Sequence, residues 1–199
     1  MRLVNRWIGL CAVVGLSGCA TTGLMSSWKA PDTEPFRMRG EKVAAVVMAS
    51  DQSTRRAGED ALARELSARG AIGVPMYTLV PDAAPDEAKV RAAAEQAGIV
   101  GVVVLRPVSI DKELSSRPAT YAGPIGFWGG GYYGGGEIRT DTIVMIETLV
   151  YSLRENKLLW GGQSKTKNPA NLNRLIADAA RQVADELVRQ GLIAKEVKG

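Results

Sequence analysis

Histidine is absent from this sequence of 199 residues, and cysteine occurs only twice. The lack of histidine excludes Ser-His-Asp and Cys-His catalysis, together with every metal site that needs an imidazole ligand. An excess of charge of one sign is also missing, because 25 lysines and arginines stand against 21 aspartates and glutamates. A formal net charge of +4, scattered along the chain, does not indicate a nucleic-acid-binding protein.

Hydrophobic runs long enough to cross a membrane are lacking as well. The apolar run at residues 7–16 follows two basic residues, Arg2 and Arg6. As a helix its ten residues rise about 15 Å, which is half of the roughly 30 Å hydrocarbon core of a bilayer. A short apolar run behind a basic flank is typical of a secretory signal peptide. We interpret residues 1–18 as that signal peptide.

The signal ends in the sequence Leu16-Ser17-Gly18-Cys19, which resembles the lipobox of bacterial lipoproteins. The resemblance implies cleavage after Gly18, a diacylglycerol on the Cys19 sulfur and commonly a third acyl chain, often palmitate, on the new amino group. Two or more acyl chains make membrane attachment stable. By analogy with enteric lipoproteins, Ala20 favours the outer membrane over the inner one. We therefore expect a protein anchored to the cell outer membrane through Cys19 and facing the periplasm. The alternative is a soluble exported protein with an incidental cysteine.

Cysteine usage has a chemical consequence for the mature chain. Cys11 leaves with the signal peptide and Cys19 carries lipid, so that no thiol remains. The mature protein then has no disulfide, no zinc-thiolate site and no cysteine nucleophile. We predict no catalytic residue, no cofactor and no metal.

The mature chain is predicted to form one domain behind a tether. Residues 19–41 have the mixed composition of a flexible tether, and residues 42–193 alternate strand and helix patterns. The order β-α-β-α-β-β-β-α predicts an α/β fold, with a mixed sheet of about five strands in a single three-layer domain. The predicted elements are strands at 43–48, 72–79, 100–110, 142–153 and 158–166, and helices from Ser53 or Thr54 to Arg69, from Asp86 to Gly98, and at 171–189.

Four short segments of the mature chain carry a family resemblance. They are Ser27-Trp28-Lys29-Ala30-Pro31, Arg55-Arg56-x-x-Glu59-Asp60-x-Leu62, Tyr151-Ser152-Leu153 and Lys157-Leu158-Leu159-Trp160. Together they resemble a family of small bacterial outer-membrane lipoproteins of largely unknown function. The order of elements is more distantly similar to the lipoprotein activators of penicillin-binding proteins and to the N-terminal domain of the TolB translocation protein. The resemblance implies the fold and an envelope location, and it implies no catalytic residue.

Glycine and aromatic residues concentrate at residues 121–136, between the third and fourth predicted strands. Eight of the 22 glycines and five of the eleven aromatic residues fall in this segment. Gly129-x-Gly131-x-x-Gly134 matches a dinucleotide-binding spacing, but that motif joins a strand to a helix and a strand follows here. We interpret the segment either as a flexible connection or as an exposed contact surface. The aromatic residues available for partner contact are Phe127, Trp128, Tyr132 and Tyr133.

Acidic residues are the remaining candidates for chemistry. Asp51 and Asp111 are predicted near strand ends, and two acidic pairs are Glu59 with Asp60 and Glu137 with Asp141. A two-carboxylate hydrolase needs opposed carboxylates about 5–9.5 Å apart, and the sequence places no two of them so.

We therefore predict a non-catalytic binding or accessory module, held to the membrane by its anchor and contacting an envelope protein or a glycan. The alternatives are a carboxylate-based hydrolase acting on cell-wall material and a purely structural envelope component. Arg55 and Arg56 at a helix start oppose the helix dipole. They are expected to hold an anion or to pair with Asp51 or Asp60.

Overall fold

In a computed structural model, one mixed sheet of six strands carries helices on both faces. The structure describes residues 22–31, 38–81, 87–117 and 137–194, without the side chains of 87, 115–117 and 137–139. The strands are β1 (Thr22–Lys29), β2 (Lys42–Val47), β3 (Ile72–Pro75), β4 (Gly101–Arg117), β5 (Glu137–Ser152) and β6 (Lys157–Lys167), and the helices are α1 (Gln52–Ala68), α2 (Glu87–Gln96) and α3 (Leu172–Arg189).

The sheet has the strand order β1-β6-β5-β4-β2-β3. β2 pairs in parallel with β3 and β4, and the other neighbours pair antiparallel. The predicted α/β class and the predicted order of elements after residue 41 are confirmed. β1 is an additional edge strand inside the segment predicted to be a tether. A bulge between Leu24 and Ser26 interrupts the alternation of its side chains, and this interruption hides the strand in the sequence.

The larger core lies between the sheet and the pair α1 and α3. The predicted apolar stripe of α3 faces this core, and Val183 and Leu187 are buried in it. Trp160 of β6 is also buried there, and its indole ring lies over Gly162. A Cβ on Gly162 would be 2.3 Å from Cη2 of Trp160, so glycine is required beneath the ring.

A smaller core lies on the opposite face of the sheet, under α2. Alternate residues of β2 supply both cores: Val43 and Val47 face the larger core, and Ala44 faces the smaller one. This burial of both faces accounts for the uninterrupted apolar run of β2.

Several element boundaries differ from the sequence prediction. Asp51 caps α1. The prediction that this helix begins at Ser53 or Thr54 is therefore wrong. β3 ends at Pro75, which has no N–H for the strand ladder, and a 3-10 turn follows at Met76–Thr78. β4 and β5 are longer than predicted, because they continue to pair with each other beyond the rest of the sheet. In the described part of the chain, no helix is both long and apolar enough to cross a membrane.

Candidate functional site

An open cleft of about 710 Å³ lies where β2 ends. Its walls come from the segment after β2, from the first turns of α1 and α3, and from the middle of β4 and β5. β2 lies between β3 and β4 in the sheet. The connection from β2 to β3 and the connection from β3 to β4 therefore run in opposite directions across the sheet. Ligands of α/β proteins commonly bind at such a point, beyond the carboxyl end of the strand.

Apolar side chains dominate the walls of the cleft. Its floor is the edge of the larger core, where Leu105, Ile146 and Ile176 are buried. At its mouth Met48 and Leu172 are exposed, although both are large and apolar. Exposed apolar side chains that gather around one concave surface are typical of a contact site.

The polar groups at the mouth of the cleft serve the ends of two helices. Asp51 Oδ2 accepts hydrogen bonds from Ser53 Oγ at 2.6 Å and from the Thr54 backbone N–H at 2.7 Å. The hydrogen bond from Ser53, with that from Thr54, lowers the pKa of Asp51 to about 2. Asn171 Oδ1 likewise accepts the Arg174 backbone N–H at 2.8 Å. Both side chains therefore cap the N-terminus of a helix, Asp51 that of α1 and Asn171 that of α3.

A polar cluster around the buried Asp141 shapes the turn that leads from β6 into α3. The carboxylate of Asp141 accepts hydrogen bonds from Lys167 Nζ and from Asn168 Nδ2, both at 2.6 Å. Asn168 Oδ1 accepts the Thr142 backbone N–H at 2.8 Å, and Asn168 adopts a positive φ of 49°. This left-handed conformation suits asparagine and turns the chain toward the cleft.

Glu59 and its neighbours occupy a second place, on the core side of α1. Glu59 accepts hydrogen bonds from the backbone N–H groups of Tyr77 at 2.7 Å and of Val47 at 3.5 Å. Burial raises its pKa above the ordinary value. Asp60 accepts a hydrogen bond from the Tyr77 hydroxyl at 2.9 Å, and the Arg56 guanidinium lies 5.5 Å from the centre of that ring. These contacts fasten the turn after β3 to α1.

This arrangement gives the Arg-Arg-x-x-Glu-Asp segment a structural role. Arg55 is buried, and its Nη2 donates a hydrogen bond to the Pro81 carbonyl oxygen at 3.2 Å. The Tyr77 hydroxyl donates a hydrogen bond to Asp60, and the Arg56 guanidinium lies over the Tyr77 ring. The segment thus joins α1 to the chain that follows β3.

The predicted acidic residues do not converge on one site. Asp111 lies within β4 rather than near its end, and it accepts a hydrogen bond from Ser109 Oγ at 2.9 Å. Among the residues that the structure describes, Asp51 is the one acidic side chain lining the cleft. No group of three or more acidic or other metal-ligating side chains comes together in those same residues.

The lipidation site and the partner-contact residues predicted from the sequence lie outside the described ranges. These are Cys19 and the four aromatic residues Phe127, Trp128, Tyr132 and Tyr133, and the side chain of Glu137 is likewise not described. The cleft itself was missed. Its signal is faint: Ile110, which lines the cleft, is an apolar residue among polar ones at the end of the strand predicted at 100–110.

Comparison with known proteins gives structural neighbours only. No protein-family model matches the sequence, and no curated protein matches it. The PelC dodecamer of Paraburkholderia phytofirmans is similar, with 14% identity and a TM-score of 0.47 over 89% of this chain and 100% of that chain.

Two further neighbours are a lipoprotein and a TolB protein. The lipoprotein GNA1162 of Neisseria meningitidis has 14% identity and a TM-score of 0.40 over 73% of this chain and 99% of that chain. TolB of Acinetobacter baumannii has 14% identity and a TM-score of 0.39 over 87% of this chain and 31% of that chain. Lipoproteins and TolB, the proteins that the sequence resembles, are thus found among its structural neighbours. The likeness concerns the fold.

Proposed function

We propose that this protein is a lipid-anchored accessory protein of the bacterial cell envelope, and that it acts by binding an apolar chain rather than by catalysing a reaction. The cleft at the end of β2 carries this proposal. Its walls are apolar, and Asp51, the acidic side chain that lines it in the described ranges, is already held by the first turn of α1. A carboxylate-based hydrolase of cell-wall glycan would need a second carboxylate opposite the first.

The dimensions of the cleft favour a small apolar ligand. Its volume of about 710 Å³ falls within the range of roughly 300–1,000 Å³ that is usual for small-molecule sites. Two charged residues line the cleft in the described part of the chain, and both have partners: Asp51 caps α1, and Arg106 pairs with Glu147. The floor between them is apolar, with Leu105, Val144 and Ile176. An acyl chain, which gains free energy by leaving water, suits such a surface.

Binding of a dansyl-labelled fatty acid tests the proposal. Ala49→Trp places a large ring in the cleft and should weaken the affinity at least tenfold. Ala57→Trp, on the exposed side of α1, is the matched control and should bind like the wild type. If Ala49→Trp fails to fold, Thr142→Phe fills the same space from β5. Equal affinity in all folded variants contradicts the proposal and favours a purely structural role.

The location is tested separately at Cys19. The lipobox-like sequence supports an anchor in the outer membrane with the domain in the periplasm. A clickable palmitate analogue should label the wild type and leave Cys19→Ala unlabelled. Equal labelling of both proteins would contradict the anchor. Where the label depends on Cys19, separation of inner from outer membranes identifies the compartment.

A further inference from the structure

We propose that the projecting part of β4 and β5 lies in the surface of the membrane to which Cys19 is anchored. We call residues 108–114 of β4 and 140–144 of β5 the projecting end. The inference rests on the proposed lipidation of Cys19, and it adds an orientation: the anchor, the projecting end and the mouth of the cleft face one bilayer.

The register of the sheet places the anchor and the projecting end on the same side. Thr22, the first residue of β1, is paired with Thr166 of β6. Thr166 is paired with Val144 of β5, and Val144 is paired with Ile110 of β4. These four residues form one row across four adjacent strands. With a strand spacing of about 4.8 Å, Ile110 lies about 14 Å from Thr22.

The chain length before β1 limits how far the anchor can be from this row. Cys19 precedes Thr22 by three residues, and three Cα–Cα steps span at most about 11 Å. The strand direction brings the chain into the sheet at the end where β6 stops, at Lys167. An acyl chain on Cys19 therefore holds this end of the domain next to the bilayer.

The projecting end extends as far from the row as the anchor does. Leu114 is four residues beyond Ile110, which corresponds to about 13 Å along the strand. β1 and β6 do not accompany β4 and β5 over this distance, since the pairing of β6 with β5 stops at Ile143 and Lys167. Among the described residues, β4 and β5 are thus the strands that project at the level that the lipid anchor reaches.

The side chains at the projecting end have the composition of an interfacial surface. Ile110 is 69% exposed and Leu114 is 77% exposed, which is unusual for two large aliphatic side chains on one face of one strand. Lys112 is exposed between them. A lysine beside apolar residues can bury its stem among them and extend its ammonium group to the phosphate level.

Charge at this end is largely compensated within the protein. Lys165 pairs with Glu113 at 3.3 Å, and Lys167 pairs with Asp141 at 2.6 Å. The attraction proposed here is therefore apolar, and it should depend little on the charge of the lipid headgroups.

Fluorescence quenching by the bilayer tests the proposal on the full lipidated chain. Because Cys11 leaves with the signal and the Cys19 sulfur carries lipid, a single introduced cysteine can be labelled selectively. The variants are Leu114→Cys and Ile110→Cys, each carrying an NBD fluorophore, in phosphatidylcholine vesicles with and without phosphatidylglycerol. The control is Glu155→Cys, in the turn between β5 and β6 at the opposite end of the sheet.

We expect doxyl-labelled lipid to quench most of the emission at positions 110 and 114 and little of it at position 155, in both kinds of vesicle. Emission at 110 and 114 that soluble iodide quenches, but doxyl lipid does not, overturns the proposal. Emission protected from both quenchers also overturns it, because protein, such as a second copy of the chain, then covers this end. Failure of the anchor itself is recognised separately, by the absence of acyl label on Cys19.

Discussion

Gly73 of β3 lies directly against the backbone of Ala63 in α1: a Cβ on Gly73 would be 2.2 Å from the Ala63 carbonyl oxygen. Neither backbone can move independently, since β3 is paired with β2 and the helix packs on the larger core. Only glycine permits this approach of helix to strand.

Gly73→Ala is therefore expected to lower the free energy of unfolding by about 3 kcal/mol, the upper end of the usual cost of overpacking. Urea denaturation followed by circular dichroism measures the change. The control is Gly23→Ala in β1, where nothing lies within 4 Å of the added atom. Equal stability of both variants would show that α1 can shift away from β3.

Protonation of Glu59 should be visible in the pH dependence of stability. Burial raises the pKa of Glu59 above its ordinary value of 4.5. The folded protein then retains this proton to a higher pH than the unfolded chain does, so the contribution of Glu59 to stability falls as pH rises through that window. Glu59→Gln cannot titrate and should lack this component.

Urea titrations of wild type and Glu59→Gln between about pH 4 and pH 7 check this expectation. The free energy of unfolding of the wild type should decline relative to that of the variant as the pH increases. Glu95→Gln, on the exposed side of α2, is the control and should follow the wild-type profile. Parallel profiles for Glu59→Gln and the wild type would contradict the raised pKa.

The apolar stripe of α3 should be essential for folding. Val183→Asp places a carboxylate in the core between α3 and the sheet, at a cost of several kcal/mol against a total stability of about 5–15 kcal/mol. We expect loss of the cooperative thermal transition. Asn173→Asp, exposed in the first turn of the same helix, should be neutral or slightly stabilising. A normal melting curve for Val183→Asp would refute the burial of this stripe.

The segment at 121–136 should be dispensable for folding and needed for partner binding. Its glycines make ordering costly in entropy, so the core cannot depend on it strongly. Replacing Phe127, Trp128, Tyr132 and Tyr133 with serine should leave the melting temperature unchanged and remove a crosslinked envelope partner. Unchanged partners with a large fall in melting temperature would show that the rings pack on the sheet.

The parts of the fold that the sequence predicts are those whose pattern is complete within one element. α3 has an uninterrupted apolar period of 3.6 residues, and its bounds, predicted at 171–189, follow from that pattern. Residues 43–47 are apolar throughout because both faces of β2 are covered. Local patterns therefore determine these two elements.

The parts that escaped prediction depend on distant residues. The cap of α1 is ambiguous locally, since Asp51, Ser53 and Thr54 are all good caps, and the geometry of the loop after β2 selects Asp51. The cleft is assembled from four segments far apart in the chain, 47–54, 105–110, 142–146 and 169–176. No sequence periodicity within any one segment indicates that these segments lie together in the fold.

The pairing of β1 with β6 also determines how mechanical load enters the molecule. In a chain anchored through Cys19, any force that draws the domain away from the membrane passes through the Thr22 end of β1. Hydrogen bonds between antiparallel strands lie perpendicular to the strands, so a pull along β1 is shared by the ladder from Thr22 to Lys29. The edge strand is thereby loaded in shear, with all its bonds resisting together. β1 thus transmits this force from the anchored end to the second half of the chain.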